Sequence, residues 1–238
     1  GYEDLEELDW GHYRDEYGNI GRLDLILESE NDSTNRYKLA KQPDVVMLVY
    51  LLGRDGLRKQ LAALGYPFSE ADLVRTVNYY LTRTANGSTL SRVVNASVLA
   101  GIDPARSWIA FREALIADLD DSQGGTTREG IHLGAMAGTV DLPVRSFAGM
   151  TVGDDELTFA PQLPPHLTRV AFQVRYRDHL LDVTLGRSGL ELHAHPTTAP
   201  VIRLRVGSDG GQLSAGETKV FAVRSADART RSVSKESR

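Results

Sequence analysis

Three short stretches carry more hydrogen-bond donors than their local structure requires. The first is Lys41-Gln42, directly before Pro43-Asp44. The second is Gly87-Ser88-Thr89, with Ser91 close behind, at the head of an apolar-periodic run. The third is Thr126 to His132, continuing into the small-residue segment GIHLGAMAG. A single hydroxyl suffices to cap a helix, by accepting from an N–H of the first turn. Gly87 with three hydroxyls exceeds that need. An oxyanion takes several donors at once and favours the positive end of a helix. Lys41 and Gln42 form a pair able to donate to sugar hydroxyls, and His132 an imidazole able to donate to an anion. Each stretch also has a plainer reading. Ser88 or Thr89 alone is an ordinary cap, Lys41 a solvated surface lysine, and His132 a satisfied histidine between tightly packed helices. The glycines around His132 cost roughly 1 kcal/mol each in a helix interior, so something approaches that helix closely.

Other polar clusters read more weakly. His193 and His195 lie two apart in LELHAHP and share a strand face. A metal pair is conceivable there. With no cysteine and no carboxylate motif beside them they read as surface histidines, and no metal is expected. DLDD (118–121) and GDDE (153–156) lack the spacing of a calcium loop and read as solvated turns. There is no Ser-His-Asp motif, P-loop or GxGxxG, and no carboxylate pair stands out as a glycosidase acid and base.

The elements that must position these residues fall into two halves. The first half has helical periodicity. An apolar run over 34–52 is entered through Gln42-Pro43-Asp44, and Leu57, Leu61 and Leu64 form a short helix stopping at Gly65. Ser69 to Asp72 opens the next helix, with Leu73, Val77, Tyr80 and Leu81 on one face. Leu90, Val94 and Val98 follow, and then a helix from Asp103-Pro104 carries Trp108, Phe111, Leu115 and Leu119. Thr126 to Glu129 has a capping-box pattern for a last helix running to about Thr139. The three donor-rich starts recur about 40 to 46 residues apart, separated by other helices. If the helices alternate between an inner and an outer layer, all three starts belong to inner helices whose N-termini converge; a plain helical solenoid is the alternative. After about residue 145 the period drops to two. AFQVRYR, LLDVTLG, LELHAH and VIRLRVG alternate as in an antiparallel sheet with one wet face. The expected division is a helical part over 1–148, a sheet domain over 149–223, and a disordered tail over 224–238.

Composition bounds the partners. The 238 residues are 41% hydrophobic and 25% charged, enough to bury a core. A net charge of -5 gives no support to a nucleic-acid or anionic-membrane role. With no cysteine, disulfides and thiolate metal sites are excluded. The longest apolar run, VVMLVYLL, is far shorter than the roughly 20 residues of a membrane span. No signal peptide is evident and a cytoplasmic location is expected. The opening GYEDLEELDW, without Met, reads as the middle of a protein. The three N-x-S triplets, at Asn31, Asn86 and Asn95, are attributed to chance.

Four ordered motifs resemble family 65 glycoside phosphorylases, the maltose, trehalose and kojibiose phosphorylases. They are YKLAKQPDVVMLVYLL, NYYLTRTANGSTLSRVV, DLDDSQGGTTREGIHLGAMAGTVDL and LTFAPQLPPHLTRVAFQVRYR. The resemblance covers residues 1 to about 222 and is to the C-terminal part of the family. It implies the last helices of an (α/α)6 barrel followed by a small antiparallel β-sheet domain. It also implies inverting phosphorolysis of an α-glucosyl disaccharide, with inorganic phosphate as co-substrate, no other cofactor, and a homodimer as the full-length protein. Lys41 and Gln42 would then contact the glucosyl unit, and Gly87, Ser88, Thr89 and His132 would bind phosphate. The general-acid glutamate is expected upstream of Gly1, so the chain alone is expected to be inactive. The family pattern carries His at position 86, and often at 95, where this chain has Asn. A trehalase-like hydrolase of the same fold and a non-catalytic sugar-binding scaffold are the alternatives.

Overall fold

The computed structural model describes residues 1–122 and 125–223. The tail expected to be disordered, 224–238, lies outside them. Among the described residues seven α-helices come first: α1 (Trp10–Tyr17), α2 (Leu23–Ser29), α3 (Asp44–Ala63), α4 (Glu70–Thr82), α5 (Thr89–Leu99), α6 (Pro104–Leu115) and α7 (Leu133–Leu142). Eight strands follow: β1 (Met150–Val152), β2 (Glu156–Phe159), β3 (Arg169–Tyr176), β4 (His179–Gly186), β5 (Gly189–Ala194), β6 (Ile202–Val206), β7 (Asp209–Leu213) and β8 (Thr218–Ala222). The chain divides into two compact units. One joins Gly1–Val98 to Ile109–Thr139, and the other joins Leu99–Trp108 to the chain from Val140 onward.

In the helical unit, local chemistry sets most element ends. α3 follows Pro43 and is broken at Gly53, whose backbone (φ 68°, ψ 169°) leaves the helical region. This matches a sequence that reads as two helical segments around that glycine. The second segment ends before Gly65, at φ 84°. Ser69 and Asp72 form a reciprocal capping box at the head of α4: the Ser69 Oγ accepts from the Asp72 N–H, and the Asp72 carboxylate accepts from the Ser69 N–H at 2.8 Å. α4 buries Leu73 and Val77, and α5 buries Val93, Val94 and Val98.

Three expectations fail here. Leu90, the first residue of the stripe predicted on α5, is 41% exposed. The stripe predicted on α6 stops early: Phe111 is buried, but Leu115 is 45% and Leu119 83% exposed, and Leu119 falls in the turn beyond the helix. The last helix does not begin at Thr126. Thr126–Glu129 is a 3-10 turn with no side-chain cap, ended by Gly130 at φ 137°, and α7 starts only at Leu133. The N–H of Thr127 is instead taken by the Asp121 carboxylate at 3.2 Å. A side chain from outside the turn replaces the local capping box.

The sheet unit holds two four-stranded sheets, ordered β1-β2-β6-β7 and β3-β4-β5-β8. The pairs are antiparallel except β2 with β6, which run parallel. The four alternating runs each become a strand, β3 to β6. The strands β1 and β2, of 3 and 4 residues, are too short to give a periodic signal. Leu157, Phe159, Leu204 and Leu213 from one sheet share a single core with Leu181, Val183, Leu190 and Leu192 from the other. Asp182, Thr184, Glu191 and His193 alternate with these core residues and occupy the outer face.

Candidate functional site

The segments preceding α3 and α5 meet. The N–H of Ala40 donates to the Arg83 carbonyl at 2.8 Å, and the N–H of Ala85 donates to the Ala40 carbonyl at 3.0 Å. Two of the three donor-rich starts, Lys41-Gln42 and Gly87-Ser88-Thr89, therefore follow one two-stranded bridge.

The head of α5 shows why glycine stands at 87. A Cβ there would lie 2.1 Å from the carbonyl oxygen of Gly21, so only glycine allows the two backbones to touch. Asn86, just before it, is left-handed at φ 55°, a conformation asparagine tolerates better than most residues. Its Nδ2 donates to the Thr84 carbonyl at 3.1 Å, and its Oδ1 accepts from the Asn95 Nδ2 at 3.2 Å. The two positions where the family pattern carries histidine thus form a directly bonded pair. Ser88 is the cap, its Oγ accepting from the N–H of Leu90 at 3.2 Å. The surplus hydroxyls lie inside: Thr89 is 4% and Ser91 1% exposed. The buried Ser91 Oγ and Asn95 Oδ1 find no hydrogen-bond partner among the described residues. Unpaired buried polar atoms are costly and mark a place where a partner is wanted.

Next to this turn is a cavity of about 610 Å³. Its wall includes Arg14, Asn19, Asn86, Gly87, Arg92 and Asn95. Arg92 is anchored by an Nη1 bond to the Ser122 Oγ at 2.9 Å. Of the site residues expected from sequence, only Gly87 lines this cavity; Lys41, Gln42, Ser88, Thr89 and His132 do not.

Lys41 and Gln42 are exposed. The Lys41 Nζ bonds the Asp24 carboxylate at 2.7 Å, and Arg22 bonds the same carboxylate from 3.2 Å. Arg22 first, and Lys41 next, hold the Asp24 carboxyl well below the usual carboxylate range. Lys41 is tethered by this pair but keeps about half of its side chain in solvent.

His132 is held by Asp118. Its backbone N–H donates to one carboxylate oxygen at 2.9 Å, and its Nδ1 meets the other at 2.5 Å. Thr127 adds a long 3.4 Å bond to the same carboxylate. The Asp118 side chain is only 9% exposed, so the solvated turn expected for DLDD fails at its first residue, whereas Leu119 and Asp120 are exposed. The His132 bonds lower the Asp118 carboxyl against a smaller, opposing effect of burial. With Nδ1 donating to Asp118, Nε2 is the nitrogen left for a ligand, with the Thr126 Oγ1 3.4 Å away. Asp118 is the site residue that sequence reasoning missed. The available signal was an acidic group 14 residues before a histidine, linked only through folding. Of the small residues beyond His132, Gly138 has a packing reason: a Cβ there would meet the Val93 Cγ1 at 2.5 Å, so α7 lies directly on α5.

The model of the glycosyl hydrolase family 65 central catalytic domain matches residues 1–141, and that of the family's C-terminal domain matches 150–208. An uncharacterized glycosyl hydrolase of Mycobacterium tuberculosis (strain ATCC 25618 / H37Rv) is 46% identical over 92% of this chain and 16% of its own length. The trehalose 6-phosphate phosphorylase of Lactococcus lactis subsp. lactis (strain IL1403) is 34% identical over 94% of this chain and 29% of its own. A solved structure from the human microbiome, assigned as a kojibiose phosphorylase, superposes with a TM-score of 0.75 at 23% identity, covering 94% of this chain and 30% of that one. The chain spans less than a third of the length of these relatives.

Proposed function

The chain belongs to glycosyl hydrolase family 65, and we propose that it supplies the phosphate-binding and part of the sugar-binding wall of an inverting α-glucoside phosphorylase. The reaction would convert trehalose, maltose or a related diglucoside, with phosphate, to β-glucose 1-phosphate and glucose. In this reading α3, α5 and α7 are inner helices of an (α/α)6 barrel. The general-acid glutamate that protonates the leaving oxygen lies outside these residues. An inverting hydrolase needs a second carboxylate to activate water. Phosphate is already an anionic nucleophile, so the protein has to bind and aim it instead.

The observation that carries the proposal is the head of α5. A capped helix start is built against a second backbone at Gly21, with buried polar atoms on Ser91 and Asn95 left unpaired. Gly87 and Thr89 would offer donors at the positive helix end, the Ser88 hydroxyl would donate to phosphate while its oxygen caps the helix, and His132, as the imidazolium with both nitrogens protonated, would donate through Nε2. Asp118 acts as a positioning residue that fixes the imidazole. Lys41 and Gln42 would hold the glucosyl hydroxyls. Asn86 can donate a hydrogen bond but carries no charge, so phosphate is held here by dipoles and by His132.

The test uses the full-length protein with trehalose, maltose and kojibiose, with and without phosphate, followed by NMR of the anomeric signals. The expected result is phosphate-dependent release of β-glucose 1-phosphate. Phosphate-independent release of glucose would replace this reading with the hydrolase. Ser88→Ala and His132→Gln should each raise KM for phosphate by about 10-fold or more, the loss of a hydrogen bond to a charged group.

A further inference from the structure

The outer face of the sheet β3-β4-β5-β8 carries a polar row across all four strands. Gln173 stands opposite Asp182, Asp182 opposite His193, and His193 opposite Thr218. His195, two residues past His193, lies on the same side, with the two imidazole centroids 5.2 Å apart. The side chains of this row are mutually anchored. Asp182 accepts from the Gln173 Nε2 at Oδ1 (2.7 Å), and its Oδ2 meets the His195 Nε2 (2.8 Å). The His193 Nδ1 meets the Thr218 Oγ1 at 2.8 Å. One nitrogen from each imidazole and one Asp182 oxygen all lie within 4.8 Å of one another, and all three residues are partly buried.

We propose that Asp182, His193 and His195 form a binding site for one divalent transition-metal ion of the zinc class. No residue of this trio takes part in the phosphorolysis proposed above. Two imidazoles and a carboxylate suit zinc, cobalt and nickel. Ligand atoms about 2.1 Å from such an ion stand about 3.4 Å apart in a tetrahedral site. The Asp182 Oδ2 and His195 Nε2, 2.8 Å apart, would part slightly to reach that spacing, and all three ligand atoms already lie within 4.8 Å of one another. A surface ion pair alone would account for Asp182 and His195 but not for His193, which Thr218 holds toward the same point. Gln173 and Thr218 are in the position of outer-shell partners that orient a ligand set. With three protein ligands the ion keeps a position open to solvent, and it would tie β4 to β5.

The test is titration of the purified protein with Co2+, read by its visible absorption bands, followed by competition with Zn2+. Wild type should bind one more equivalent per chain than the variants His193→Gln, His195→Gln and Asp182→Asn. In each variant the affinity of that equivalent should fall by at least about 100-fold. Thr218→Val should weaken it by about 10- to 100-fold, as outer-shell changes do. His12→Gln should leave it unchanged. These are surface positions, and circular dichroism checks that each variant is folded. Wild type without a bound equivalent at ~1 mM metal, or an equivalent that survives all three ligand substitutions, would overturn the proposal.

Discussion

Asp118 and His132 show how one residue acquires a role through another. The carboxylate is nearly enclosed and accepts both the backbone and the ring N–H of His132. Its folded pKa is lowered, so it lies below the unfolded value of about 3.9. The resulting stabilisation is fully present above that value and is lost as pH falls through the folded one. Asp118→Asn should therefore destabilise the protein at pH 7, and its gap from wild type should close in strongly acidic solution. Urea unfolding of both proteins at pH 7, 4.5 and 3 measures this. In the full-length enzyme the same variant should raise KM for phosphate more than it lowers kcat, because it frees the imidazole without removing it. Gly87→Ala makes a different test. Its Cβ would collide with the Gly21 backbone, 2.1 Å away, so the turn must move. Phosphorolysis should drop by more than about 10-fold, as a displacement near 1 Å costs in other sites.

At the scale of elements, some ends are set by their own residues and others by partners outside the element. The start of α4 is local: Ser69 and Asp72 cap each other. Ser69→Ala should cost about 1 kcal/mol, read by chemical denaturation. Gly149, at the entry to β1, is different. It has φ 65°, and a Cβ would lie 2.2 Å from the Ala160 carbonyl oxygen. Gly149→Ala should destabilise the sheet unit by more than the roughly 1–2 kcal/mol of the backbone conformation alone, because the Gly149–Ala160 pairing must open too. The start of α7 could not be read locally. Thr126 to Glu129 has the residues of a capping box, but Asp121 takes the Thr127 N–H and Gly130 breaks the turn. The alternating strands were legible because one face of each is buried. The parallel pairing of β2 with β6 was not, since no local pattern distinguishes a parallel from an antiparallel neighbour.

At the scale of the whole molecule, the helical unit leaves apolar side chains in water. α3 buries Val46, Val49 and Leu57 yet exposes Leu48, Leu51 and Leu52, of which Leu51 is 63% exposed. Leu90, Ile131 and Leu133 are exposed as well. A helix that is apolar on more than one side belongs between neighbours, and exposed apolar patches drive association. The 238-residue chain alone should self-associate and bind a hydrophobic dye, with Leu51→Glu and Leu133→Lys each reducing both. Light scattering after size exclusion measures this, and a monodisperse wild-type monomer at high concentration would contradict it.

What the sequence determined by itself was the local part. Periodicity marked the helices from α3 onward, but not α1 or α2, and four of the strands; glycine and proline marked most breaks, and four ordered motifs pointed to family 65. Donor types also singled out Lys41, Gly87 to Thr89 and His132. Tertiary structure decided which of these groups have partners. It seated Gly87 on Gly21, bonded Asn86 to Asn95, enclosed Asp118 against His132, and set Asp182 opposite His193 across two strands. The physical reason is common to all four. Each depends on the packing or strand register of two separate segments, whether close in sequence as for Asn86 and Asn95 or distant as for Gly21 and Gly87. That register is chosen by burial of apolar side chains elsewhere, not by the polar residues that it brings together.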